Sequence, residues 1–360
     1  MITGNKGEWS EPYVLLKLLA SKKLYLGKEN FQKIESIFYP ILQIVSSQKL
    51  GDIGFTYEDN LVIVTSNADK IEIPIVTFLE FSKICLEKIK SKKNQKGAFG
   101  IPEIENFLKT IGILKIKEKS KVKNDITIQI EDPKTFLRPT LGFSIKSQLG
   151  GPSTLVNASN ATNISYTLSN KISKEEITHL VSQSKFSEKF RYLEKLGIET
   201  SFDKIDNKNF NANLQTIDSN FPKIISEILL LYYQSGNASE NTVENFTKEI
   251  AKKNPLNFDL SVNSEMYQMM IKRFLLEYAL GMRAGEVWYR EYEANGGYLV
   301  VKDDGEILCY HFYFIKHFED YLFQNTKFET PSSGRYKMGE IYEEDGFQKL
   351  KLNLQIRFIK

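Results

Sequence analysis

A mixed α/β fold is what this 360-residue sequence predicts. Three observations carry that expectation: helical spacing of apolar residues at the start, short segments of alternating apolar and polar residues in the middle, and a strand-rich tail behind a long helical stretch. Hydrophobic residues at 41% and charged residues at 26% describe a chain able to bury a large core.

The elements follow in order. Tyr13, Leu15, Leu16, Leu18 and Leu19 place apolar groups on one helical face after Ser10-Glu11-Pro12, and Pro12 suits a first helical turn. A second helix is expected over Glu29 to Ser46. Ile53 to Ile73 reads as strands, with Leu61-Val62-Ile63-Val64 and Ile71-Glu72-Ile73 divided by Ser66-Asn67-Ala68-Asp69, and Pro74 stops the last. Val76 to Lys90 should be helical. Pro102 starts a short helix that Gly112 can end. Asp125 to Ile130 alternates as a half-buried strand does, and Leu141 to Ser147 is its returning partner. Gly150-Gly151-Pro152-Ser153 breaks that strand and could begin a short helix. Asn163 to Leu168 forms one more strand. Residues 171–285 look mainly helical, strongest at Ile224 to Tyr233 and Met266 to Leu280. Strands return at Gly297 to Val301, Glu306 to Tyr313 and Lys349 to Phe358.

Four regions result. Residues 1–95 form a helical and hairpin part that contributes the first core helix. Residues 96–170 form a mixed helix-and-strand part, 171–285 a helical region, and 286–360 a strand-rich part.

Charge and composition narrow the chemistry. Lys+Arg 48 against Asp+Glu 45 leaves a net +3. Basic stretches run from Lys83 to Lys96 and from Lys115 to Lys123; they could follow a phosphate backbone, but on charge alone a solvated helix face and a polar loop is the favoured reading. Two cysteines and three histidines nearly exclude a Cys/His zinc site, so a metal would be held by carboxylates, which favours Mg²⁺. No apolar run reaches the roughly 18 residues a membrane span needs. Met1 to Glu8 lack the apolar core of a signal peptide, so the chain is expected in the cytoplasm with no membrane partner.

One constellation carries chemistry. Asp125 opens one strand, while Ser144 and Lys146 lie two apart on the next and therefore share a face. An aspartate beside a lysine suits metal-dependent phosphodiester hydrolysis: the carboxylate holds Mg²⁺, and the lysine orients the nucleophile or meets charge on the phosphate. A second carboxylate normally joins the metal, yet position 144 is serine. Glu8 and Glu11, three apart on a helical start, are the best suppliers. Gln148 lies on the face of Lys146 and could hold water or phosphate. The plain alternatives are acidic residues placed by a helix dipole, an aspartate that caps a strand, and a solvated glutamine.

Several blocks of this sequence resemble the HpaII family of type II restriction endonucleases. They are Asn5-Lys6-Gly7-Glu8-Trp9-Ser10-Glu11, Gly97 to Glu105, Lys123-Asn124-Asp125-Ile126, Leu141 to Gly150, and the tail from Tyr310-His311 through Phe318 to Leu322, Thr326-Lys327 and Thr330-Pro331-Ser332-Ser333-Gly334-Arg335. The resemblance implies a PD-(D/E)xK nuclease core, a mixed sheet flanked by helices with helical and strand-rich additions. In it Asp125 looks like the metal-binding aspartate and Lys146 like the catalytic lysine. Ser144 departs from the wider superfamily but looks like this family's own usage, and the second metal ligand is then expected to be Glu11, with Glu8 behind it. Residues 96–170 would hold the catalytic core and 286–360 the part suited to reading DNA. The implied substrate is a short palindromic duplex site, typically CCGG, cut with Mg²⁺ and protected by a partner methyltransferase.

Base reading needs side chains that reach base edges, with Arg or Lys for guanine and Asn or Gln for adenine. Ser153, Thr154, Asn157, Ser159 and Asn163 follow the catalytic strand, in a segment that also reads as a polar helix with caps. Thr326, Lys327, Thr330, Ser332, Ser333 and Arg335 form the second set, in a stretch that composition alone would make a hairpin loop. Arg283 and Arg290 are weaker candidates. A palindrome cut on both strands is met most simply by a homodimer. The rival reading is a DNA-binding regulator that kept the fold without catalysis, for which Ser144 is the best argument; an RNA-processing nuclease is the third.

Overall fold

The computed structural model describes residues 2–49, 51–66, 69–92, 97–116, 123–236, 241–332 and 334–359. In chain order the elements are α1 (Lys6–Ser21), β1 (Lys23–Gly27), β2 (Lys33–Gln48), β3 (Gly51–Glu58), β4 (Leu61–Ser66), β5 (Asp69–Pro74), α2 (Ile75–Ser91), α3 (Pro102–Thr110), β6 (Ile126–Ile130) and β7 (Thr140–Ser147). There follow β8 (Thr154–Val156), β9 (Asn163–Leu168), α4 (Lys174–Ser182), α5 (Phe186–Lys195), β10 (Thr200–Ile205), α6 (Lys208–Gln215), α7 (Phe221–Ser235), α8 (Val243–Lys253) and α9 (Met266–Leu280). The last are β11 (Gly297–Val301), β12 (Ile307–Tyr310), α10 (Ile315–Gln324), β13 (Thr326–Phe328), β14 (Ile341–Glu344), β15 (Phe347–Asn353) and β16 (Ile356–Phe358). Among the described residues no helix is long and apolar enough to cross a membrane.

The chain divides into two compact units, one of residues 1–153 and 292–321, the other of 154–291 and 322–359. Residues 96–170 therefore contribute to both. The first unit is built on one sheet in the order β1-β12-β11-β7-β6-β2-β3-β4-β5. Strand β1 also pairs antiparallel with β2, so β1, β12, β11, β7, β6 and β2 form a closed circuit of pairings. Helices α1 and α2 pack together. Trp9, Tyr13, Leu16 and Leu19 of α1, Phe78 and Cys85 of α2, and Ile128, Phe143 and Leu299 of the sheet lie in one apolar core. The second unit holds a sheet in the order β10-β9-β15-β14, a small sheet in the order β13-β16-β8, and the helices α4 to α9. Its interior includes Tyr166, Phe210, Phe221, Phe274, Leu350 and Leu352.

Five sequence expectations need correction. Residues 29–46 do not form a helix. Ile34, Ile37, Phe38, Tyr39, Ile41, Ile44 and Val45 favour a pleated surface, and Pro40 would break a helix in its middle; the segment is the long strand β2. Helix α1 begins six residues before Pro12, because Asn5 and Glu8 close a capping box, so Pro12 lies inside the helix. Gly150 to Ser153 begin no helix. Thr154 to Val156 form β8 against β16, a partner about 200 positions away, and only a single 3₁₀ turn follows at Asn160–Thr162. Strand β10 interrupts the helical middle, paired with β9. The expected strand from Glu306 to Tyr313 stops at Tyr310, and helix α10 follows it.

Candidate active site

Strands β6 and β7 are antiparallel, with Ile126 opposite Phe143 and Thr127 opposite Gly142. The Asp125 N–H extends this ladder by one rung, donating to the Phe143 carbonyl at 2.8 Å. That rung carries the Asp125 carboxylate across the ladder to β7. Its Oδ2 accepts from the Ser144 hydroxyl at 3.0 Å and from the Ile145 N–H at 2.6 Å. Lys146 Nζ donates to Ser144 Oγ at 3.0 Å, as expected of two residues on one strand face. A continuous chain results: ammonium to hydroxyl, hydroxyl to carboxylate. A hydroxyl can accept and donate at once, whereas an ionised carboxylate at position 144 would only accept and would repel Asp125.

On the other side of β7 runs β11, parallel, with Tyr298 in register with Ser144. Lys146 Nζ stands 4.8 Å from the centre of the Tyr298 ring. Burial pushes the Tyr298 hydroxyl well above its ordinary pKa, so the ring is neutral. Close packing fixes one glycine near the start of β7. A Cβ on Gly142 would lie 2.8 Å from the Glu293 carbonyl oxygen and 2.9 Å from Asn124, so only glycine lets these backbones approach.

Helix α1 brings the carboxylates. Asn5 Oδ1 accepts from the Glu8 N–H at 3.0 Å, and Glu8 Oε2 accepts from the Asn5 N–H at 2.8 Å. The buried Ser10 hydroxyl meets the Ser147 hydroxyl at 2.7 Å, which fastens α1 to the end of β7. The next residue, Glu11, lines a cavity of about 510 Å³ together with Asp125, Asn124, Thr127, Ile145 and Lys115. Glu11 and Asp125 thus line the same cavity. Glu8 is not among the residues lining it; its carboxylate serves the cap. Gln148 sits half-buried just past β7, its N–H on the Val301 carbonyl at 2.8 Å. Among the described residues no three His, Cys, Asp or Glu side chains gather closely enough to hold an ion.

The expected base-reading residues scatter in environment. Asn157, Thr330, Ser332 and Arg335 are exposed, and Ser153, Thr154, Ser159 and Lys327 are half-buried. Thr330 already meets the Tyr232 hydroxyl at 3.0 Å, and Ser159 caps the 3₁₀ turn. Asn163 and Thr326 are buried: Asn163 Oδ1 accepts from Asn353 at 2.7 Å, and the Thr326 hydroxyl donates to the Leu322 carbonyl at 2.7 Å. The structure does not bring these two to the surface. Ser333 lies outside the described residues, as do Lys93 to Lys96 and Lys117 to Val122 of the basic stretches. Arg290 pairs with the buried Glu277 at 3.2 Å and Arg283 with Glu286 at 3.7 Å.

Sequence reasoning gave no site role to Asn124, Thr127 or Tyr298, and it read Lys115 only as part of a basic stretch. Asn124 had a local signal, its place beside Asp125. Tyr298 had none, because its partner is set by the pairing of strands about 150 positions apart.

A family model described as HpaII restriction endonuclease matches residues 5–358. The type II restriction enzyme HpaII of Haemophilus parainfluenzae is 44% identical to this chain over 359 residues, which is 99% of each sequence. No solved structure matches.

Proposed function

Because the chain belongs to the HpaII restriction endonuclease family, we propose that Asp125, Ser144 and Lys146 are where it hydrolyses DNA. Membership makes it a type II site-specific endonuclease, a DNA-cleaving hydrolase. The observation that carries the assignment is the hydrogen-bonded chain from Lys146 Nζ through Ser144 Oγ to Asp125 Oδ2. In this reading the sheet of the first unit is a PD-(D/E)xK core, with Asp125 and Lys146 in the motif's outer places and serine in the acidic one.

The donor set suits Mg²⁺. The carboxylate-bearing Asp125 and Glu11 line one cavity, and Mg²⁺ is commonly held by one or two carboxylates with water and substrate phosphate completing its shell. Asp125 and Glu11 would hold the ion. When bound, it supplies positive charge to the phosphoryl oxygens and a more acidic water.

The chain's own residues do the rest. Both Asp125 bonds fall on Oδ2, leaving Oδ1 without a protein donor among the described residues. Ser144 holds that carboxylate and the Lys146 ammonium in one arrangement. Lys146 orients the attacking water or meets the negative charge that grows on the phosphate. Base reading belongs to the exposed and half-buried polar groups: Ser153, Thr154, Asn157, Ser159, Lys327, Thr330, Ser332 and Arg335, with Arg335 suited to guanine. Asn163 and Thr326 support these segments from inside. The substrate is a short palindromic duplex, CCGG, read by a homodimer in the cytoplasm, with a methyltransferase protecting the host's copies.

Plasmid DNA incubated with the protein and Mg²⁺ should yield discrete fragments whose sequenced ends share one site. Asp125→Asn and Lys146→Met should bind that site as the parent does and leave it whole. Fragments from Asp125→Asn, or lost binding by a folded variant, would overturn the assignment; a salt-sensitive shift without cutting by the parent would favour the regulator.

A further inference from the structure

A lysine next to a carboxylate has its charge balanced by that carboxylate. Here position 144 is a serine, which offers Lys146 a dipole and no charge. The balance is supplied in part from the neighbouring strand. The parallel register of β7 and β11 sets Tyr298 beside Ser144, with the ring centre 4.8 Å from Lys146 Nζ. The ring is nearly wholly buried and packs on Phe318 at 5.1 Å between centres, so its face cannot swing away. A cation 4.8 Å from a buried aromatic face is within the range where the ring quadrupole attracts it, and the attraction is larger where water is excluded.

We propose that Tyr298 is a positioning residue for phosphodiester hydrolysis: its face seats the Lys146 ammonium against Ser144, in place of the carboxylate this site lacks at position 144. The inference rests on the reading of Lys146 as catalytic. It gives Tyr298 a role separate from filling the core, since packing depends on the ring's shape while the seat depends on its electron density.

Fluorination separates the two. Tyr298→Phe keeps the face, and phenylalanines carrying one, two or three fluorines at that position keep nearly the same shape while weakening the quadrupole stepwise. Single-turnover cleavage at saturating enzyme, with duplex binding measured by anisotropy without metal, reads the effect. Tyr298→Phe should stay within about twofold of the parent, and the rate should then fall with each fluorine, on the order of tenfold across the series, with affinity unchanged. If Tyr298→Phe does not fold, fluorinated tyrosines at the same position give the same series. A flat series in folded protein overturns the seat. Lys146→Met run alongside tells the two readings apart: no cutting together with a flat series sinks the seat alone, whereas normal cutting by Lys146→Met sinks both.

Discussion

Replacing Ser144 by alanine removes one oxygen and, with it, both links between Asp125 and Lys146. The hydroxyl accepts from Lys146 at 3.0 Å and donates to Asp125 at 3.0 Å, and the residue is 5% exposed, so water has little room to replace it. A hydrogen bond to a charged group contributes about 1.5–3 kcal/mol. Asp125 keeps its bond from the Ile145 N–H at 2.6 Å, so its placement is only partly loosened, while Lys146 keeps the Tyr298 face. The net loss in the transition state should therefore be close to one such bond, about 2–3 kcal/mol. At about 1.4 kcal/mol per tenfold, cleavage should slow by roughly 30- to 150-fold. Rapid-quench single-turnover cleavage of a duplex carrying one site measures this, with a gel shift to confirm that binding is retained. Ser144→Thr, which restores the hydroxyl, should recover most of the rate. A Ser144→Ala rate within twofold of the parent would refute the idea that the hydroxyl joins the two charges.

Two positions away from the catalytic strands give further measurable outcomes. His311 is 2% exposed, and burial lowers its pKa from 6.5 to about 4, opposed weakly by Asp132. A base with a depressed folded pKa leaves the unfolded chain holding more protons between pH 4 and 6.5, so stability rises with pH across that window and is lost as pH falls; the 2.5-unit gap corresponds to about 3 kcal/mol in full and about 2 kcal/mol by pH 5. Urea midpoints at pH 8 and pH 5 should differ more for the parent than for His311→Phe, and equal differences would refute the buried neutral imidazole. Gly297 has φ +94°, and a Cβ there would lie 2.0 Å from the Tyr310 carbonyl oxygen. Gly297→Ala should therefore cost about 3 kcal/mol or more through displacement of β11 against β12, seen as a lowered melting temperature; an unchanged one would show that the turn relaxes freely.

Much of the fold was legible because periodicity is local. The alternation of Ile126 to Ile130 marks β6, and the apolar spacing of α2, α7 and α9 marks helices, since each pattern reports which side of its own segment faces a core. The residues of the candidate site were legible for the same reason: period two alone places Ser144 and Lys146 on one face, and the loop over residues 131–139 returns the chain beside Asp125.

Tertiary structure decided what depends on partners far along the chain. Residues 33–48 became a strand because they pair with β1, β3 and β6 at once, contacts that no window of β2 itself contains. Spacing alone does not separate Glu8 from Glu11, yet a capping box takes one and a cavity the other, because the helix starts at Lys6 rather than at Pro12. The seat for Lys146 comes from Tyr298 on a parallel strand that the chain reaches only after crossing the second unit. A sequence thus fixes what each segment presents, while register between distant strands decides what each presented group meets.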